Sequence, residues 1–140
     1  MPSREVFWDG DRNRAVVLTL GELMRELERS AEEARAAQIH MDFVLTAGDC
    51  SFLLTVGEGG RSFVVFARGS VKQGNVLSEY VLDGEEKDPA HPFSYGGSYS
   101  EVDFNRTVSS GDAIKAVKEF FETGEKPGWL PWEATQPESV

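Results

Sequence analysis

The chain has 140 residues, 40% hydrophobic and 11% aromatic, which is enough to fill one core and too apolar for global disorder. Its net charge of −10 excludes phosphate-backbone binding, which needs a basic surface, and suits a partner that is itself basic. One cysteine, Cys50, and two histidines, His40 and His91, exclude an internal disulfide framework and a Cys/His-rich zinc site. No apolar run approaches the roughly 18 residues of a membrane span, and Met1 to Glu5 lead into no signal-peptide h-region. These features predict one cytoplasmic domain over residues 1–140, with 133–140 as a frayed polar tail.

The run Arg14-Ala-Val-Val-Leu-Thr-Leu20 reads as a strand, or as a strand leading into a helix. Thr19 and Glu22 make a capping-box pattern. Leu20, Leu23, Met24, Leu27, Ala31 and Ala34 then recur at helical spacing, giving one apolar stripe. The other face carries Arg25, Glu28, Arg29, Glu32, Glu33 and Arg35 and is expected to be solvated. Three strands follow, Met41–Thr46, Cys50–Val56 and Arg61–Phe66, separated by short Gly-containing gaps of the kind antiparallel hairpins use. Val76–Leu82 alternates and is expected to have one wet face. Asp83 to Ala90 is a polar loop with a proline, and Phe93 to Phe104 reads as one strand with a bulge at Gly96-Gly97 or an exposed edge.

A second helix is expected from Ser109 or Ser110, with Asp112 beside its N-terminal dipole. Its buried stripe is Ala113, Ile114, Val117, Phe120 and Phe121. Gly124 stands where a left-handed residue closes a helix, and Pro127 prevents resumption. Trp129 and Trp132 read as apolar anchors pinning the tail to the sheet. The structural anchors are therefore Phe120, Phe121, Gly124 and Trp132. The predicted class is α+β: a single antiparallel sheet of about five to seven strands with two helices packed on one face.

Few residues carry catalytic promise. Gly57-Glu58-Gly59-Gly60 lacks the spacing and the following helix of a phosphate loop and reads as a hairpin turn. Cys50 and His40 are a nominal nucleophile and base, but Cys50 opens an apolar strand, where cysteine behaves as a small hydrophobe. Glu101 and Asp103 lie two apart on a strand and share a side; with no convergent histidine, an exposed acidic rim accounts for them better than acid–base chemistry does. Residues 83 to 103 stand out. They hold Asp83, Glu85, Glu86, Asp88, Glu101 and Asp103 against Lys87 alone, half of the net charge, interleaved with Phe93, Tyr95 and Tyr99. Aromatic anchors rimmed by charge are what protein interfaces use, although alternate core positions of a strand account for part of the same pattern.

The word Phe120-Phe121-Glu122-Thr123-Gly124, with Lys126-Pro127 and Trp132, resembles the C-terminal signature of the Imm1 family of bacterial immunity proteins. The strands around Phe52-Leu-Leu-Thr-Val-Gly57 and Phe63-Val-Val-Phe66, and the Tyr95/Tyr99 segment, are similar to it in looser form. The resemblance implies a cytoplasmic antitoxin of a polymorphic toxin system, with no enzymatic activity and no cofactor. Its expected partner is a cognate toxin domain, often a nucleic-acid deaminase, basic near its active site. Such a toxin flips a base out of its strand and attacks it with zinc-activated water. The expected toxin-binding residues are Asp83, Glu85, Glu86, Asp88, Phe93, Tyr95, Tyr99, Glu101 and Asp103, and the expected state is a monomer or weak homodimer. Two other readings stand beside this one: a non-catalytic adaptor or chaperone-like binding domain, and a small-ligand or enzyme domain, which would show a deep pocket near Tyr95 to Asp103.

Overall fold

The computed structural model describes residues 4–8, 13–57, 61–68, 77–81, 91–95, 98–102 and 107–134. In chain order the elements are β1 (Arg4–Trp8), β2 (Asn13–Val17), α1 (Leu20–Ala37), β3 (Met41–Ala47), β4 (Cys50–Val56), β5 (Arg61–Arg68), β6 (Leu77–Val81), β7 (His91–Tyr95), β8 (Ser98–Val102), β9 (Thr107–Ser109), α2 (Ser110–Thr123) and β10 (Trp132–Ala134). The main sheet runs β10-β6-β5-β4-β3-β1-β2, and β9 pairs with β5 beyond the end of β6. All of its pairings are antiparallel. With both helices on one face, this is the α+β architecture that the hydrophobic pattern predicts.

Strand parity decides which side each residue serves. Met41, Phe43, Leu45 and Ala47 of β3 are buried while the residues between them are not, and Phe52 and Leu54 of β4 and Val64 and Phe66 of β5 continue the same face. That face is closed by Leu23, Leu27 and Ala34 of α1 and by Ala113, Ala116, Val117 and Phe120 of α2. Ile114 and Phe121, expected in the stripe, are half-buried, and Ala116 takes a fully buried place instead.

Both helices start as their sequences dictate. Thr19 Oγ1 accepts the Glu22 N–H at 3.1 Å, and Ser109 Oγ accepts the Asp112 N–H at 3.1 Å, each satisfying a donor that the first turn leaves without a partner. Gly124 closes α2 at φ 71°, its N–H on the Phe120 carbonyl at 2.7 Å. α1 closes on Gln38, also left-handed at φ 59°, where no glycine signals the stop. α2 has no base in its own last turn. Arg4 of β1 supplies one, its Nε donating to the Phe121 carbonyl at 3.2 Å, so a cation meets the negative end of the helix dipole.

Three strands are absent from the sequence reading, and a fourth region is arranged differently. β1 has only five residues and two inward apolar side chains, Val6 and Trp8, too short a run to show a period. β9 and β10 have three residues each. β10 carries pairing to Ala134, two residues into the segment expected to fray. The expected single strand from Phe93 to Phe104 is instead a β7–β8 hairpin flanking Gly96-Gly97, with Pro92 opposite Glu101 and Tyr95 opposite Ser98.

Candidate functional site

The acidic and aromatic segment falls only in part within the described residues. Asp83, Glu85, Glu86, Asp88 and Asp103 lie outside them. Phe93 and Tyr95 are in β7, and Tyr99 and Glu101 are in β8. The hairpin register pairs Phe93 with Ser100 and Tyr99 with Ser94. Alternation then places residues 93 and 95 on one face of the ribbon and 99 and 101 on the other. The aromatic positions therefore do not make one flat patch: they occupy both faces of a two-stranded ribbon that, among the described residues, pairs with no strand of the main sheet.

The expected anchors separate into different roles. Phe120 is fully buried, and its ring lies 6.0 Å from Phe52 and 5.9 Å from Phe66 between centroids. Phe52 and Phe66 face each other across β4 and β5. Trp132 closes the same pair at 6.1 and 6.3 Å. It is half-buried and donates its indole N–H to the Pro127 carbonyl at 2.7 Å. Trp129 pins nothing to the sheet: it is 41% exposed and lies 5.0 Å beneath Lys115 Nζ on α2, while Leu130 takes the buried place in the tail. Lys126 adds an ion pair to Glu79 of β6 at 2.8 Å.

Two features escape sequence reasoning. The β4–β5 ladder stops at Leu54 opposite Val64, and buried hydroxyls replace it. Ser62 Oγ donates to the Thr55 carbonyl at 2.8 Å and accepts the Thr55 N–H at 3.1 Å, and Thr55 Oγ1 accepts the Phe63 N–H at 2.9 Å. The hydroxyls thus satisfy buried backbone groups where the ladder ends. A cavity of about 380 Å³ opens beside them between α1 and α2, walled by Met24, Leu27, Ala31, Val56 and Ile114 with Glu28 and Arg35 among its polar lining. The described part of its lining comes from α1, α2, β4, β5 and the residue after β4, Gly57.

The sheet's other face carries a row in register: Phe7, Val44, Leu53 and Val65 stand side by side on β1, β3, β4 and β5, each half-buried. Cys50 pairs with Ala47 at the turn end of the β3–β4 hairpin, while His40 precedes Met41 at the far end. At about 3.3 Å per residue they are roughly 20 Å apart, so they make no nucleophile–base couple. Desolvation pushes the Asp42 carboxyl above its ordinary value. Among the described residues no group of three His, Cys, Asp or Glu converges as a metal site would require, and no helix is long and apolar enough to cross a membrane.

A family model described as immunity protein Imm1 matches residues 8–134. No curated protein matches the chain.

Proposed function

The chain belongs to the Imm1 family of immunity proteins, and on that premise we propose that it neutralises a cognate toxin of the nucleic-acid deaminase class by covering the toxin's active-site cleft with residues 83–103. The family supplies the coarse part of this reading, a protein that binds a toxin protein. The observation that carries the finer part is the charge asymmetry: six acids against one lysine within 21 residues of a chain already at −10.

A toxin that holds a nucleic-acid strand needs a basic groove along the backbone. An acidic segment competes for that groove, and opposite charges steer the encounter. The β7–β8 ribbon supports the same reading, because residues on both of its faces meet the walls of any groove that admits it. The acid residues supply attraction and orientation, and Phe93, Tyr95 and Tyr99 supply apolar contact once water is expelled. Inhibition by occlusion needs no chemistry from this chain.

The test is binding to the C-terminal domain of the toxin encoded beside this chain. Reversing Glu85, Glu86, Glu101 and Asp103 to lysine is expected to weaken the complex at least about 100-fold, mostly through a slower association that loses its salt dependence. The thermal midpoint should stay where it is. Undiminished affinity in the quadruple variant would remove residues 83–103 from the interface. Failure of the unaltered chain to bind a folded toxin domain would favour the adaptor reading instead.

A further inference from the structure

We propose that β2 is a docking edge on which the toxin domain adds a strand of its own to the main sheet; the proposal rests on the immunity reading above and names a second contact region for the same partner. β2 ends the sheet path and, among the described residues, pairs only with β1, over five consecutive partners from Arg4 with Val17 to Trp8 with Asn13. In an antiparallel pair, alternate residues turn their N–H and C=O away from the neighbouring strand. Among the described residues, the outer side of β2 is therefore an edge of the sheet to which no further strand is paired.

Proteins blunt such edges with proline, exposed charged side chains (lysine above all), a bulge or a very short strand. The opposite edge follows that rule, since β10 has three residues and comes directly after Pro131. β2 does not follow it. Its sequence is Asn-Arg-Ala-Val-Val, and its register runs without a bulge. Its one charged residue, Arg14, is held by Glu5 at 3.0 Å and lies over the Phe7 ring at 5.5 Å, so the charge is directed back across the sheet. Beside this edge stand Val16, 55% exposed, and Leu18, 71% exposed, two of the three large apolar side chains most open to solvent among the described residues. A regular edge flanked by exposed aliphatic side chains is the surface that strand addition uses, with main-chain bonds for affinity and alternate side chains for specificity.

The backbone pattern demands an extended segment, and charge decides whose. Two copies of this chain would bring two charges of −10 together. A five-residue strand pair also buries far less than the roughly 1,000 Å² a stable dimer needs. A basic partner gains attraction where a second copy meets repulsion.

Hydrogen exchange on the free chain and on its complex with the adjacent toxin domain tests this directly. Amides of residues 13–18 are expected to exchange at least about tenfold more slowly in the complex. Val16→Lys with Leu18→Lys, both at exposed positions, should weaken binding at least about tenfold and leave the melting midpoint unchanged. Unchanged exchange at residues 13–18 in a complex that does form, or a double variant that binds as tightly, overturns the strand addition and leaves the immunity reading intact. A toxin domain that does not bind at all overturns both. Sedimentation of the free chain gives the remaining outcome: a dimer that the two lysines dissolve assigns the edge to a second copy and overturns the proposal.

Discussion

Replacing Phe120 with alanine is expected to cost about 3–5 kcal/mol and to lower the thermal midpoint by roughly 10–15 °C in a chain of this length. The side chain is fully buried, at 0% exposure. It lies over the cross-strand pair Phe52 and Phe66, tilted on one and edge-on to the other, so truncation removes apolar contact, two ring pairs and the wedge that holds α2 on β4 and β5. Little around it can collapse into the space, because Phe52, Phe66 and Val117 are themselves anchored in the sheet and helix. Trp132→Ala removes a larger ring but should cost less, about 2–3 kcal/mol. Its indole is half-buried, and its bond to the Pro127 carbonyl is replaced by water once the tail loosens. Chemical or thermal denaturation of both variants measures the order. A Phe120 variant that melts within a few degrees of the parent would mean that the helix is not wedged on this pair.

The same contrast shows how far the sequence could be read. Phe120 and Gly124 were legible because an amphipathic stripe, an N-cap serine and a glycine stop all agree over α2. α1 was legible for the same reason from Thr19 onward, but its end was not, because Gln38 takes a left-handed conformation that composition does not mark. β3, β4 and β5 announce themselves as β-branched and aromatic runs between glycines. β1 could not be found this way. Its placement between β2 and β3 comes from Val6 and Trp8 completing a core with Leu45 and Phe43, 39 and 35 positions later, which is a long-range effect. The Phe93 to Phe104 segment misled for a local reason: the two glycines that suggested a bulge separate two short strands.

The site was less legible than the fold. Charge counting found the acidic segment, since net charge needs no geometry. Alternation alone could not show that Phe93 and Tyr95 lie on the opposite face of a ribbon from Tyr99 and Glu101, because that follows from the hairpin register. The β2 edge was hidden more thoroughly. Arg14 to Leu20 reads only as a short β-branched run, a strand or a strand leading into a helix, and only the sheet order makes β2 terminal. Interface features of this kind belong to topology, and a sequence carries them only through every contact that decides which strand is last.

Among the described glycines, Gly57→Ala should be the most damaging substitution. Gly57 has φ +140°, and a Cβ there would stand 2.6 Å from the Ile39 carbonyl oxygen and 3.3 Å from the His40 Cα. The φ alone costs about 1–3 kcal/mol for a residue with a side chain. The contact adds about 1–3 kcal/mol of overpacking, and it cannot relax through a rotamer because both nearest atoms are backbone. Those atoms belong to the link between the α1 C-cap and β3, where the Ile39 N–H already binds the Ala34 carbonyl at 2.9 Å. Moving them would pull the last turn of α1 off the sheet. Gly48→Ala is the matched comparison. Gly48 also has a positive φ, 64°, but nothing lies within 4 Å of its Cβ direction, so only the conformational cost of about 1–2 kcal/mol remains. Urea denaturation of the two variants separates backbone strain from crowding. Equal losses would mean that the Ile39 carbonyl yields freely and that the approach of β4 to the α1–β3 link is not what fixes glycine at position 57.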